Sequence, residues 1–312
     1  MKQIVITEFM DTGAVDTLKQ RFEVIYAPSL VDRRDALLTI LGTTDGLIVR
    51  NRTQVDSVLI DAAPRLQVVG RLGVGLDNID LPACRTRGIE VFPATGANAN
   101  AVAEYVIAMA LVLLRGAYRS SQDVASGVWS KEALSNGREL SGKVLGIVGF
   151  GSIGQLTARK ASALGMRVLG FDPAAVDRKS TVWEEAGATP VTLDELLTKS
   201  DAVSLHFPLT PETKNFFDRS RIASMKQDAV LINSARGGIV DETALADLLR
   251  SGHLAGAALD VFVKEPLPAG SPLADCPNLL LTPHIAGLTR ESNKRVSSLV
   301  VEKVSTYLAG LK

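Results

Sequence analysis

The stretch from 144 to 172 restricts this chain more than any other. An apolar run, Val144-Leu145-Gly146-Ile147-Val148, leads into Gly149-Phe150-Gly151-Ser152-Ile153-Gly154. A helical pattern follows to Met166, then a second apolar run at 168–171 that is followed by Asp172, eighteen residues past Gly154. G-x-G-x-x-G alone is weak in a chain with 26 glycines, and Gly73-Val74-Gly75 opens a similar pattern that fails at Asn78. The order strand, turn, helix, strand, carboxylate gives the first match its weight. Each part has a task in holding a dinucleotide. Gly149 permits the tight turn, Gly151 lets backbone approach a pyrophosphate, and Gly154 lets helix and strand pack closely. The helix start at Ser152 and Ile153 offers unpaired N–H groups to the phosphates. Asp172 suits two ribose hydroxyls and repels a 2′-phosphate, and no arginine follows before Arg178. The expected cofactor is NAD rather than NADP.

Around this unit, short β-rich runs alternate with helical patterns, which implies an α/β protein with parallel strands. Five runs, at 4–7, 22–25, 46–49, 66–69 and 89–91, alternate with helices near 11–20, 33–41, 55–62 and 80–87. Six more follow at 144–148, 168–171, 202–205, 229–232, 256–259 and 279–281, enough for a doubly wound sheet. A helical pattern at about 100–118 joins the two series, with Val102, Val106, Met109 and Leu113 on one face. A last helix at 291–309 has no strand partner nearby in sequence, and is expected to fold back onto the first series. The expected architecture is therefore two doubly wound parallel-sheet domains. A Rossmann-type NAD domain, 100–285, is inserted in a flavodoxin-like substrate domain made of 1–99 and 286–312.

With 312 residues, 46% of them apolar, the chain can fill two such cores. Thirty-four basic residues balance thirty-four acidic ones, which gives no reason to expect a nucleic-acid or anionic-membrane partner. The longest apolar stretch, 105–114, is about half a membrane span. Cys84 and Cys276 stand alone, without the spacing of a disulfide framework or zinc knot, so no metal and a reducing, cytoplasmic setting are expected.

Three later segments carry groups suited to acid–base work: Asn233-Ser234-Ala235-Arg236-Gly237-Gly238, Leu259-Asp260-Val261-Phe262-Val263-Lys264-Glu265-Pro266 and Thr282-Pro283-His284-Ile285-Ala286-Gly287. Each ends or follows an expected strand, where ligands bind in open parallel sheets. Together with Gly70-Arg71-Leu72-Gly73-Val74-Gly75-Leu76-Asp77-Asn78-Ile79-Asp80, and in this order, they make the chain from about Gly70 to Gly287 resemble the D-2-hydroxyacid dehydrogenase family, in its phosphoglycerate dehydrogenase-like branch.

The resemblance implies a hydride transfer between nicotinamide and C2 of a small 2-hydroxy or 2-keto acid, with Arg236, Glu265 and His284 catalytic. The chemistry of those groups agrees. A guanidinium fork holds a carboxylate and polarises the adjoining carbonyl. An imidazole exchanges the hydroxyl proton, and Glu265 orients it. The NAD contacts expected are Val74, Gly149, Gly151, Ser152, Ile153, Gly154, Asp172, His206, Phe207, Pro208, Ser234, Ala235, Arg236, Asp260, His284 and Gly287, with Asp260 on the carboxamide. The substrate contacts expected are Arg50, Arg71, Gly73, Val74, Arg236 and His284, Arg50 and Arg71 being candidates for a second anion. His253 reads as a solvent-facing side chain.

The segments Ile6-Thr7-Glu8-Phe9-Met10-Asp11, Arg50-Asn51-Arg52-Thr53 and Arg115-Gly116-Ala117-Tyr118 are similar to sulfolactate dehydrogenases, so a three-carbon acid with a C3 anion, sulfolactate or 3-phosphoglycerate, is the expected substrate type. Glyoxylate or hydroxypyruvate reduction is the alternative, and an NAD-sensing corepressor-like protein the alternative of another class. Formate dehydrogenases pair the histidine with glutamine, against which Glu265 stands. Phosphoglycerate dehydrogenases often carry a C-terminal regulatory domain; the chain stops after its last helix, so serine-type feedback is not expected. The resemblance further implies a homodimer, with Gly127-Val128-Trp129 and Lys131 reaching towards a neighbouring subunit.

Overall fold

In the computed structural model, residues 1–116, 120–173 and 181–310 are described; Ala117, Tyr118 and Arg178 lie outside them. The chain divides into two compact units, Met1–Asn98 with the segment from Leu288 on, and Ala99–Gly287.

The first unit is a five-stranded parallel sheet. Its strands are β1 (Gln3–Ile6), β2 (Glu23–Tyr26), β3 (Gly46–Val49), β4 (Val68–Arg71) and β5 (Glu90–Pro93), in the order β2-β1-β3-β4-β5. That is the flavodoxin-like winding. β3 and β4 are buried along their whole length, so β3 reads as an unbroken apolar run and β4 does so up to Arg71, rather than alternating. Asp11, Asp56 and Asp80 cap the helices that follow β1, β3 and β4, each accepting a first-turn backbone N–H. Helix Arg290–Leu308 joins this core through Val296, Val300, Val301, Val304 and Leu308. It lies so close to β4 that a Cβ on Gly70 would stand 2.6 Å from Val300 Cγ1 and 2.9 Å from Val304 Cγ2.

Several strands start one residue from their expectation, and β4 is displaced furthest. β4 runs two residues later than 66–69, because Leu66 closes a turn on Ala63 while Gly70 and Arg71 continue the pairing with Phe92 and Pro93. Arg71 therefore ends a strand instead of opening a loop.

The second unit holds seven parallel strands: β6 (Val144–Val148), β7 (Arg167–Phe171), β8 (Ala188–Pro190), β9 (Ala202–Leu205), β10 (Val230–Asn233), β11 (Gly256–Leu259) and β12 (Leu279–Leu281). Their order is β12-β11-β10-β9-β6-β7-β8. Six strands were expected. β8 is the addition, a three-residue edge strand paired with β7 and ending on Pro190, a position where a missing N–H costs nothing. The winding reverses between β6 and β9, which creates the crevice at which such sheets take ligands. Helix Ala99–Arg115 packs against helix Ser152–Ala163 and β10. No helix among the described residues is long and apolar enough to cross a membrane.

Candidate active site

The glycine turn follows β6. Gly149 has φ +94°, and a Cβ there would stand 2.5 Å from the carbonyl oxygen of His206, so both conformation and backbone contact require glycine. At Gly154 a Cβ would meet the Gly149 carbonyl at 2.2 Å, which is the close helix–turn packing its position implied. Gly151 is different: among the described residues nothing lies within 4 Å of where its Cβ would be. No described atom makes Gly151 necessary, which fits a turn left open for a pyrophosphate. Helix Ser152–Ala163 has no side-chain cap on its first turn, leaving that end to an anion. Asp172, just beyond β7, accepts the Phe150 N–H at 2.8 Å through one oxygen, which ties the carboxylate expected to face a ribose to the turn itself.

His206 follows β9, and its backbone N–H donates to Val148 at 2.7 Å. Burial pushes its imidazole down to about 4, so the ring is neutral, with Nε2 at 2.9 Å from Ser204 Oγ. Phe207 is half-buried edge-to-face on Phe216, and Pro208 is exposed with its carbonyl bonded to Thr213.

The other expected side chains gather at the carboxyl ends of β10, β11 and β12. Asn233, fully buried, shapes the first loop by accepting the Ala235 N–H and donating to the Arg236 carbonyl. Ser234 Oγ is buried there without a hydrogen-bond partner, an orphan polar atom of the kind a bound carboxamide or ribose satisfies. Gly237 brings this loop onto the next one: its Cβ would fall 1.8 Å from the Phe262 carbonyl oxygen.

His284 sits at φ +56°, an uncommon conformation for a residue with a side chain. The turn is held by Asp260, which is 1% exposed. Asp260 Oδ1 accepts Thr282 Oγ1–H at 2.6 Å and the Ile285 N–H at 2.8 Å, and Oδ2 accepts the Ala286 N–H at 2.8 Å. Its carbonyl accepts the His284 N–H at 2.9 Å. Because Thr282 gives its only proton to Asp260, the 2.7 Å contact with Tyr105 must have the phenol as donor. Burial pushes that phenol up to about 12. Of the acceptor positions Asp260 offers, one on Oδ2 is left for a carboxamide.

His284 Nδ1 lies 2.7 Å from Glu265 Oε2, while Glu265 Oε1 accepts the Phe262 N–H at 3.1 Å. Partial burial works against the Glu265 charge, but the bond to His284, the Phe262 N–H and the nearby charge of Arg236 outweigh it and hold the carboxyl below its ordinary range. Gly287 is half-buried at the end of this unit.

In the first unit, the loop after β3 is built on Glu8, buried, which accepts the N–H groups of Arg50, Thr53 and Arg52 at 2.9, 3.0 and 3.2 Å. Asn78 donates to the Arg50 and Thr53 carbonyls. Arg50 itself is half-buried, and burial lowers its pKa despite the charge of Glu8. Arg71 is 8% exposed and folds back over Gly73: its Nη1 bonds the Leu72 carbonyl, and a Cβ on Gly73 would strike Nη1 at 1.6 Å. Val74 remains exposed. Tyr105, Thr282, Asn233, Glu8, Asn78 and Asn293 escaped assignment from sequence. Glu8, Asn78, Asn233 and Thr282 carried a signal, as polar residues within segments otherwise singled out.

A parallel sheet with a glycine cradle at its winding reversal, and a histidine–carboxylate pair at neighbouring strand ends, defines a nicotinamide-dependent oxidoreductase. Residues 107–286 match the D-isomer specific 2-hydroxyacid dehydrogenase, NAD binding domain. The chain is 49% identical over 308 residues to the (S)-sulfolactate dehydrogenase of Chromohalobacter salexigens, covering 99% of each. It is 36% identical over 307 residues to the D-3-phosphoglycerate dehydrogenase of Mycobacterium leprae, covering 98% of this chain and 57% of that protein. The structure of an NAD-dependent formate dehydrogenase from Staphylococcus aureus in complex with NAD matches with a TM-score of 0.84 and 31% identity, over 100% of this chain and 97% of that one. The chain belongs to the D-isomer specific 2-hydroxyacid dehydrogenase family and is an NAD-dependent oxidoreductase.

Proposed function

We propose that the chain oxidises and reduces C2 of a three-carbon acid bearing a C3 sulfonate, the sulfolactate/sulfopyruvate couple. The observation that carries this is the 49% identity to a sulfolactate dehydrogenase across 99% of both chains. The stereochemistry is consistent with a D-isomer family. A CH2–sulfonate outranks a carboxylate in the priority rules, so the spatial arrangement called R in D-lactate is called S in sulfolactate.

Arg236 holds the substrate carboxylate and polarises the C2 carbonyl, and its positive charge stays with the substrate through the reaction. His284 takes the hydroxyl proton on Nε2 during oxidation and returns it during reduction. Glu265, kept ionised, accepts the Nδ1–H and so fixes which nitrogen faces the substrate. NAD would supply the hydride acceptor for C2; Gly149, Gly151, Ser152, Ile153, Gly154 and Asp172 would hold its adenosine half, with His206, Phe207 and Pro208 alongside. Val74, Ser234, Ala235, Asp260 and Gly287 serve its nicotinamide half. Arg50 takes the C3 anion. Arg71, folded inward onto the Leu72 carbonyl, is the weaker candidate for that anion. The unit built on 1–98 binds the substrate. Exposed Val128 and Trp129 support a homodimer, which sedimentation tests.

The test is NADH oxidation against sulfopyruvate, phosphohydroxypyruvate, hydroxypyruvate and glyoxylate, each repeated with NADPH. Sulfopyruvate with NADH is expected to give the highest kcat/KM. His284→Ala is expected to abolish turnover while NADH still binds. Preference for glyoxylate would overturn the substrate, and undiminished turnover by His284→Ala would overturn the proton-transfer role.

A further inference from the structure

Four arginines of the first unit each sit against an aspartate: Arg34 on Asp56, Arg52 on Asp32, Arg65 on Asp45 and Arg87 on Asp61. Arg50 is held in another way. Among the described residues its guanidinium is gripped by a neutral group, Nη1 and Nη2 both donating to Asn293 Oδ1 at 3.2 and 3.1 Å. The Phe9 ring lies 5.5 Å from its Cζ. Its Nε is buried with no acceptor. Glu8, whose charge reaches it, spends both carboxylate oxygens on the backbone N–H groups of Arg50, Arg52 and Thr53.

A half-buried cation costs desolvation, and proteins ordinarily offset that with a paired carboxylate. A carboxylate on the fork would occupy two donors and cancel the charge. An amide oxygen orients the same fork and leaves the charge in place. An aromatic ring does likewise, attracting the cation by its face without taking a hydrogen bond.

Resting on the substrate reading above, we infer that Asn293, with Phe9 beneath the guanidinium, is a specificity-determining residue: it aims Arg50 while leaving its charge for the anionic C3 group of the substrate. Asn293 can do this because helix Arg290–Leu308 is anchored. Thr289 caps its first turn by accepting the Ser292 N–H at 3.0 Å, and Val300 and Val304 rest on Gly70. The amide is thus carried on a fixed element to a loop fixed by Glu8, although the two residues are 243 positions apart.

The test is Asn293→Asp, which changes one amide to a carboxylate and adds a negative charge at a helix start, where it favours folding. The readout is the ratio of kcat/KM for sulfopyruvate to that for hydroxypyruvate, whose C3 hydroxyl is uncharged. The ratio is expected to fall by at least about tenfold, the size of a lost charge-assisted contact, with the change in KM for sulfopyruvate rather than in kcat. Asn293→Ser, which retains a neutral oxygen, is expected to keep most of the wild-type ratio. An unchanged ratio in Asn293→Asp would overturn the inference and leave the substrate reading intact. A wild-type protein that does not prefer sulfopyruvate to hydroxypyruvate would overturn that reading, and this inference with it.

Discussion

Thr282→Val removes one hydroxyl and severs two hydrogen bonds at once. The bond to the Asp260 carboxylate is 2.6 Å, and charge-assisted bonds of that kind contribute about 1.5–3 kcal/mol. The same change strands the half-buried Tyr105 phenol, whose 2.7 Å acceptor was Thr282; an unsatisfied donor there costs about 1–2 kcal/mol, towards the lower end for a buried group. The single variant is therefore expected to lose about 3–5 kcal/mol. Tyr105→Phe alone leaves Thr282 bonded to Asp260 and is expected to lose about 1 kcal/mol. In the double variant no phenol is left stranded, so its loss should fall short of the sum by about 1–2 kcal/mol. Urea unfolding followed by tryptophan fluorescence suits the measurement, because the chain's two tryptophans, Trp129 and Trp183, both belong to the second unit. Additivity within about 0.5 kcal/mol would refute the donor–acceptor order argued for the chain Tyr105–Thr282–Asp260.

The two glycines of the cradle should fail differently. Gly154→Ala, with its Cβ forced to 2.2 Å from a backbone carbonyl, is expected to lose about 1–3 kcal/mol of stability, whereas Gly151→Ala should melt like the wild type and lose NADH affinity, as titration would show. Equal melting of both would contradict the packing argument. The phenol of Tyr105 also makes a pH prediction. Its folded pKa is raised from 10.0 to about 12, so the stability it contributes is complete below pH 10 and is lost as pH rises through 12, at up to about 1.4 kcal/mol per pH unit. Tyr105→Phe should flatten that alkaline loss, and an identical alkaline profile would count against it.

The glycine turn and most strands were legible because their signals are local: an apolar run, a turn residue, a cap. β8 was not, since three residues ending in proline have no periodicity to detect, and its existence depends on β7 lying beside it. Arg71 shows a subtler limit. Its residue type suggests an anion contact, but it ends β4, is 8% exposed and bonds the Leu72 carbonyl, a placement that nothing in its own segment announces. The pairing of Glu265 with His284 was readable from segment order and the resemblance it carries, while what holds His284 in place was not. Tyr105 and Thr282 are 177 positions apart, and nothing in either segment advertises the other.

Helix Arg290–Leu308 also sets an order of events at the ribosome. The core it completes, with Ile48, Val68 and Leu72, begins within the first quarter of these residues, yet its cover is translated only after the whole second unit. Strands β1 to β5 emerge with the groove at Gly70 open, and the whole second unit must be made before Val300 and Val304 arrive to fill it. The first unit to begin synthesis thus cannot finish folding until the second has been made, and its bare apolar face is the surface a nascent-chain chaperone would have to guard.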